Sequence, residues 1–283
     1  MSLLQGILLG ILQGIAEFLP ISSSGHLAIA QKLFGLEDVP LLFDVFLHLA
    51  TLLAVCIFFR KSIWKLLKVF IRLITRKSPD SEVFDEEDLL CGTEVRGRKT
   101  ILALIVSTLI TGIIGIFTSK MIPELSIKVT CAGFIVTSIF LIVSSVIASK
   151  ENEKDTSVSD GISVVQALVI GFMQGVGTLP GISRSGSTIA GAQFCGVKRS
   201  AAGEYSFLVS IFAILGAFVL ELKDLDEVSS SIGLGPVVSG CIAAFLFGYA
   251  ALACLMKIIK KGKLEYFAFY LIPVGILGMI FLK

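Results

Sequence analysis

Six long apolar runs dictate the solvent this chain folds in. Leu41–Phe59, Thr100–Ser119, Ile127–Ala148, Ala201–Leu220, Leu234–Met256 and Leu264–Leu282 each come close to the roughly 20 residues a helix needs to cross a bilayer. Hydrocarbon offers the backbone no hydrogen bonds, so runs of this kind must close their own as helices. Composition agrees. Of 283 residues, 55% are hydrophobic and 16% charged, against about 25% charged in soluble domains, and mean hydropathy is +0.91. The expected fold is therefore an all-α polytopic membrane protein. The net charge of +2 says little, because the charges are segregated along the chain, and no nucleic-acid partner is expected. Six cysteines, without a CxxC pair and mostly inside apolar runs, read as small hydrophobes. The first apolar run lacks a basic n-region and carries polar residues where a cleavage site would fall, so it does not read as a signal peptide.

Two further apolar stretches break before they can cross. Leu3–Phe34 is interrupted at Pro20 and Ser22–Gly25, and Gly161–Cys195 at Pro180–Gly186. Each half is too short to span, but a pair of half-helices can enter and leave on one side where protein covers the break. The two stretches align without a gap at an offset of 161. Gly10, Gln13, Gly14, Ile21, Ser22, Ser24 and Gly25 repeat as Gly171, Gln174, Gly175, Ile182, Ser183, Ser185 and Gly186, seven of the eighteen positions from Gly10 to Leu27. Shared apolar composition would not reproduce Gln, Ser and Gly. Each copy is followed by three spans, an odd number, so the second copy enters from the opposite face. The expectation is one integral membrane domain, 1–283, of six transmembrane helices plus two re-entrant helix pairs in an inverted-topology repeat. Repeat 1 covers 1–148 and repeat 2 covers 161–283, with an insertion at 60–99.

Basic residues orient it. With 60–99 cytoplasmic, 18 of the 24 Lys and Arg fall on that side, and both termini face out. "RKSIWKLLKVFIRLITRK" reads as an amphipathic helix along the inner leaflet, and the acidic stretch after it as a solvated loop.

The chemistry sits in the breaks. Gln13 and Glu17 are spaced i, i+4 and share a helix face toward the first tip. Ser22, Ser23 and Ser24 open the returning half-helix, with His26 behind them. In the second copy Ser183, Arg184, Ser185 and Thr188 take that place. Half-helix starts present unpaired N–H groups and a positive dipole end, and a guanidinium grips phosphate oxygens bidentately. Together the tips predict a pocket for phosphate or diphosphate. Charges at membrane depth are costly and mark function. Serines beside Pro and Gly also serve as helix caps, and Glu17 with Arg184 also fits a buried ion pair. His48, on the first full span, reads as a packing residue, and Asp44 as a helix-start charge.

At these residues the chain resembles the membrane undecaprenyl-diphosphate phosphatases linked to bacitracin resistance. The family pattern of a Glu or Gln four residues before a Glu, then a Ser-rich turn ending in Gly-His, reads here "QGIAEFLPISSSGH". Its Pro-Gly-x-Ser-Arg-Ser-Gly pattern reads "PGISRSGST", and "FDVFLHLATLLAV" looks like its first full span. The match runs nearly end to end. A longer loop around Ser78–Arg98 departs from it, away from the tips. The resemblance implies hydrolysis of undecaprenyl diphosphate to undecaprenyl phosphate and inorganic phosphate, recycling the wall-polymer carrier in the bacterial plasma membrane, at a site open to the extracytoplasmic face. Lipids are the other partners implied, and a homodimer stays open.

Three mechanisms suit the residues. In the first, Arg184 with Ser183, Ser185 and Thr188 holds the diphosphate, Ser23 attacks, and Glu17 or His26 takes its proton. In the second, His26 is the nucleophile. In the third, Glu17 with Gln13 holds a divalent cation, Mg2+ or Ca2+, and water attacks. No organic cofactor is expected. A lipid-phosphate flippase or anion transporter would use the same inverted-repeat site, but would not require the Glu17, Ser23 and His26 set.

Overall fold

The computed structural model describes residues 1–36, 39, 41–76, 88–119, 126–150, 161–221 and 233–282. Of the acidic stretch 78–97 expected as a solvated loop, 78–87 lies outside these, while at 88–97 Leu90, Cys91 and Glu94 are buried instead. Among the described residues there are eleven helices and no strand.

Both broken stretches form helix pairs. α1 (Leu3–Phe18) begins with a capping box, Ser2 accepting the Gln5 N–H while the Gln5 side chain accepts from the Ser2 N–H. It stops two residues short of Pro20, and α2 (Ser23–Leu33) starts on the Ser22 cap. α7 (Val164–Val176) opens on the same box, Ser163 with Gln166, and α8 (Arg184–Phe194) on the Ser183 cap. The boxes and caps sit 161 residues apart, as the tips do.

Of the other elements, α5 (Glu94–Ser119), α6 (Ile127–Lys150), α9 (Arg199–Glu221) and α10 (Leu234–Lys261) are long and apolar enough to cross a membrane. α3 (Leu41–Phe58) reaches that measure only together with α4 (Arg60–Ile74), which bends away from it by 80°. α11 (Tyr266–Phe281) has 16 residues, about 24 Å at 1.5 Å per residue, short of a 30 Å hydrocarbon core. Four of the six expected runs thus form helices of full crossing length, and the other two form the shorter α3, continued by the bent α4, and α11. α11 loses length because its first residues, Leu264 and Glu265, stay in the turn after α10. α5 instead starts six residues earlier than expected, at Glu94, a fully buried carboxylate that holds Arg98 at 2.6 Å and Arg72 of α4 at 3.2 Å. Just before it, burial alone would raise the Asp88 carboxyl, but Lys65 at 2.9 Å and the amides of Cys91 and Leu90 hold it below its ordinary value.

The opening half-helices pack crosswise. α1 lies along α10, and α7 along α5. Gly6, Gly10 and Gly14 form a small-residue stripe on α1 that faces Pro236, Gly240 and Ala244 of α10, a close backbone approach of the kind that drives helix association in lipid. At Gly14 an added Cβ would stand 2.6 Å from the Ala244 carbonyl oxygen and 2.7 Å from the Gly248 nitrogen, both backbone atoms. Gly14→Val is therefore expected to force the helices apart and cost about 2–3 kcal/mol. The melting temperature of the detergent-purified protein should fall by roughly 5 °C or more. A variant that melts with the wild type would refute this contact.

Candidate active site

The first tip is held by its own chemistry. Pro20 ends α1, and Ser22 takes a left-handed φ of 71° so that its Oγ can accept the Gly25 N–H at 3.4 Å. That turn brings Ser23, the first residue of α2, back over the last turn of α1, where its Oγ–H donates to Glu17 Oε2 at 2.7 Å. Gln13, one turn earlier on α1, donates its amide to the same oxygen at 3.0 Å. The second tip turns at Gly181, φ 80°, a conformation a side chain would strain. It is pinned by α6, whose Thr137 hydroxyl oxygen accepts the Ser183 N–H at 2.9 Å. Ser183 Oγ in turn accepts the Gly186 N–H at 3.1 Å.

The tips meet. Arg184 Nη2 pairs with Glu17 Oε1, joining residues 167 positions apart. His48 of α3 sets Nε2 3.3 Å from Glu17 Oε2. One carboxylate thus takes Arg184 on one oxygen and Ser23, Gln13 and His48 on the other, in a setting where Glu17 is 8% exposed. A cavity of about 300 Å³ opens over the group, lined by Glu17, Ser22, Ser23, Ser24, His48, Thr178, Ser183 and Arg184, with Val45, Ile182, Ile214 and Ala217 as its apolar wall. Its size suits a diphosphate head. A second cavity of about 10 Å³ shares Glu17 and Arg184 and is lined by Thr51, Ser185, Ser206 and Ser210.

Six of the ten expected side chains line the main cavity: Glu17, Ser22, Ser23, Ser24, Ser183 and Arg184. Four do not. Gln13 is fully buried and acts on Glu17 instead. Ser185 faces the small cavity. Thr188 spends its hydroxyl on the Arg184 and Ser185 carbonyls and on Ser206. His26 departs most from expectation. Its Nδ1 meets the Ser22 carbonyl at 2.8 Å and its Nε2 the Tyr270 hydroxyl at 2.9 Å. The ring is wedged against Phe134 and stacked on Tyr270, with centroids 4.9 and 5.7 Å away. Aromatic packing between α6 and α11 carries it off the Ser23 hydroxyl.

His48 is the correction in the other direction, since it lines the cavity instead of only packing. The sequence signal was there in Asp44 and His48, two polar residues one turn apart on an otherwise apolar span. Asp44 accepts the Gln31 amide at 2.8 Å, and His48 Nδ1 donates to the Asp44 carbonyl at 2.7 Å.

The protein side chains alone do not fit a resident divalent cation. The buried Gln13 Oε1 has no hydrogen-bond partner, but the amide nitrogen is the atom turned to Glu17, and both Glu17 oxygens are engaged by donors. Among the described residues no three His, Cys, Asp or Glu gather as a metal set. A hard cation needs six or more oxygens.

Comparison with known proteins follows the same span. The family model described as bacitracin resistance protein BacA matches residues 6–277. An undecaprenyl-diphosphatase of Treponema denticola is 46% identical over 276 residues, 98% of this chain and 96% of that protein. One of Methanosphaera stadtmanae is 38% identical over 282 residues, 99% and 98%. One of Borrelia recurrentis is 38% identical over 273 residues, 96% of each. The matched residues 6–277 include both tips and every cavity-lining side chain.

Proposed function

The chain belongs to the BacA bacitracin-resistance family, and from that premise we infer that it hydrolyses undecaprenyl diphosphate to undecaprenyl phosphate and inorganic phosphate. It is a multi-pass membrane phosphatase that returns the lipid carrier to use in wall synthesis. The observation that carries the chemistry is the Ser23 hydroxyl at 2.7 Å from Glu17 Oε2, with Arg184 on the other oxygen. A hydroxyl, a base and a guanidinium stand within one cavity.

The diphosphate enters with its phosphoryl oxygens toward Arg184, Ser183 and the first amides of α2 and α8, which neutralise the charge that builds in the transition state. Glu17 takes the Ser23 proton, and Ser23 Oγ bonds to the terminal phosphorus. The anhydride P–O bond breaks, and undecaprenyl phosphate leaves with the electron pair and takes up the proton held by Glu17, which is again a carboxylate. Water then attacks the phosphoserine, Glu17 accepting its proton. The Oγ–P bond breaks, Ser23 is reprotonated and inorganic phosphate departs. His26, engaged by Ser22 and Tyr270, orients the start of α2 in this scheme. A Mg2+ or Ca2+ arriving on the diphosphate is part of the substrate, and no step runs through it.

Two architectural readings belong to the same proposal. The helix pairs α1/α2 and α7/α8 are re-entrant and enter from opposite leaflets, giving six spans in an inverted repeat. The matching capping boxes and the crosswise packing of α1 on α10 and α7 on α5 support this. The cavity opens to the extracytoplasmic side in this reading, as the family resemblance implies, while the excess of Lys and Arg places the 60–99 segment on the cytoplasmic side.

Detergent-purified protein is expected to release inorganic phosphate from C55 and short-chain prenyl diphosphates, which a transporter without two compartments would not do. Ser23→Ala should lower the rate by about a thousandfold or more, and labelled phosphate should remain on the wild-type chain after an acid quench. No release by the wild type would sink the diphosphatase reading. Near-normal turnover by Ser23→Ala would sink the serine route alone.

A further inference from the structure

We propose that His48 is a positioning residue that, as an imidazolium, keeps the Glu17 carboxylate against Ser23 once the diphosphate has drawn Arg184 away. The inference rests on the diphosphatase reading above and goes beyond it to a residue that reading does not use.

The ring stands between two acceptors. Nδ1 is 2.7 Å from the Asp44 carbonyl oxygen, and Nε2 is 3.3 Å from Glu17 Oε2. Neither oxygen carries a proton to give. A neutral imidazole has one N–H and can serve only one of them, leaving a lone pair aimed at the other. The doubly protonated ring serves both. At 25% side-chain exposure, on the cavity wall, it can exchange that proton with water.

The charges explain why such a partner is needed. In the substrate-free site Arg184 holds Glu17 Oε1. A guanidinium presents its fork in one plane, so gripping phosphate oxygens bidentately means loosening the carboxylate. Glu17 would then face an incoming polyanion with only the Gln13 amide and the Ser23 hydroxyl as neutral donors. His48 supplies the missing positive charge from a third helix, one that belongs to neither tip. The other groups around the ring do not duplicate it. Asp44, on its own helix, is occupied by Gln31 of α2. Arg184 of α8 is the residue being withdrawn. α9 brings Ile214 and Ala217 to this wall, and α10 sets the Cys241 thiol on the Phe46 carbonyl.

The test compares His48→Ala, His48→Gln and His48→Lys with the wild type in detergent, measuring kcat and KM for a short-chain prenyl diphosphate. A misplaced base costs about a hundredfold. His48→Ala should therefore lose about that much kcat, with KM changed only a few-fold. Glutamine keeps an N–H donor at similar reach without the charge and should recover only a small part of the lost kcat, whereas lysine keeps the charge and should recover more of it. A purely structural role would lower kcat and melting temperature together, without regard to charge. The proposal is overturned if His48→Ala keeps wild-type kcat, if the loss lies in KM, or if His48→Lys does no better than His48→Gln. Any of these with an active wild type leaves the diphosphatase reading standing, whereas an inactive wild type removes that reading first.

Discussion

Arg184→Ala is expected to lower phosphate release by about three orders of magnitude. A guanidinium that neutralises a transferring phosphoryl group contributes on the order of 10³-fold or more, and here it is delivered by the first residue of α8, where the helix amides converge on the same oxygens. The substitution does a second kind of damage. Glu17 is 5% exposed at its side chain and loses its full-charge partner on Oε1. Orphaning a buried charge costs about 3–5 kcal/mol, reduced here because Arg184 itself is 20% exposed and the cavity admits water. The melting temperature should fall along with the rate. Arg184→Lys separates the two effects. A lysine keeps the charge near Glu17 but not the planar fork, so stability should return while turnover stays low. Turnover within tenfold of wild type in Arg184→Ala would remove the clamp from its assigned place.

Glu17→Gln is the second large effect. Glutamine matches the carboxylate in shape and still accepts from Ser23, but it cannot take the proton that makes Ser23 a nucleophile. General-base catalysis contributes about 10²–10⁴-fold, and the loss should appear in kcat with little change in KM, since substrate contacts lie on Arg184, Ser183 and the helix starts. The variant also leaves Arg184 free of its resting partner. Inorganic phosphate, tested as a competitive inhibitor, should bind Glu17→Gln at least as tightly as wild type. A kcat near wild type, or a loss confined to KM, would assign Glu17 to binding instead of proton transfer.

The residues to which the proposal assigns this chemistry stand out in the sequence because lipid makes polar groups expensive. Glu17, Arg184 and the serine runs stand out against apolar flanks, and the 161-residue offset pairs the two breaks before any coordinates are seen. Helix ends were legible for the same local reason, since Pro20, Ser22 and Ser183 are read within a turn of where they act. What the sequence hides is contact across long separations. His26 looks catalytic beside its serines until Tyr270, 244 residues later, takes its Nε2. His48 looks like packing until α3 is laid against the end of α1 and Glu17 comes within 3.3 Å. Thr188 has the right type and spacing, yet its hydroxyl is consumed by its own helix and by Ser206 of α9. The last apolar run was placed two residues ahead of where α11 starts, because hydropathy does not register where a helix begins.

The lodging of α1 on α10 and of α7 on α5 has a consequence for how the enzyme is made. The ribosome delivers the acidic tip long before the basic one, and the glycine stripe of α1 has no seat until α10, nearly the last helix, has been synthesised. A nascent chain cut before residue 184 would hold an uncompensated carboxylate at membrane depth, and one cut anywhere before residue 234 an undocked hairpin. The carboxylate is thus compensated, and the hairpin seated, only as the chain nears its end.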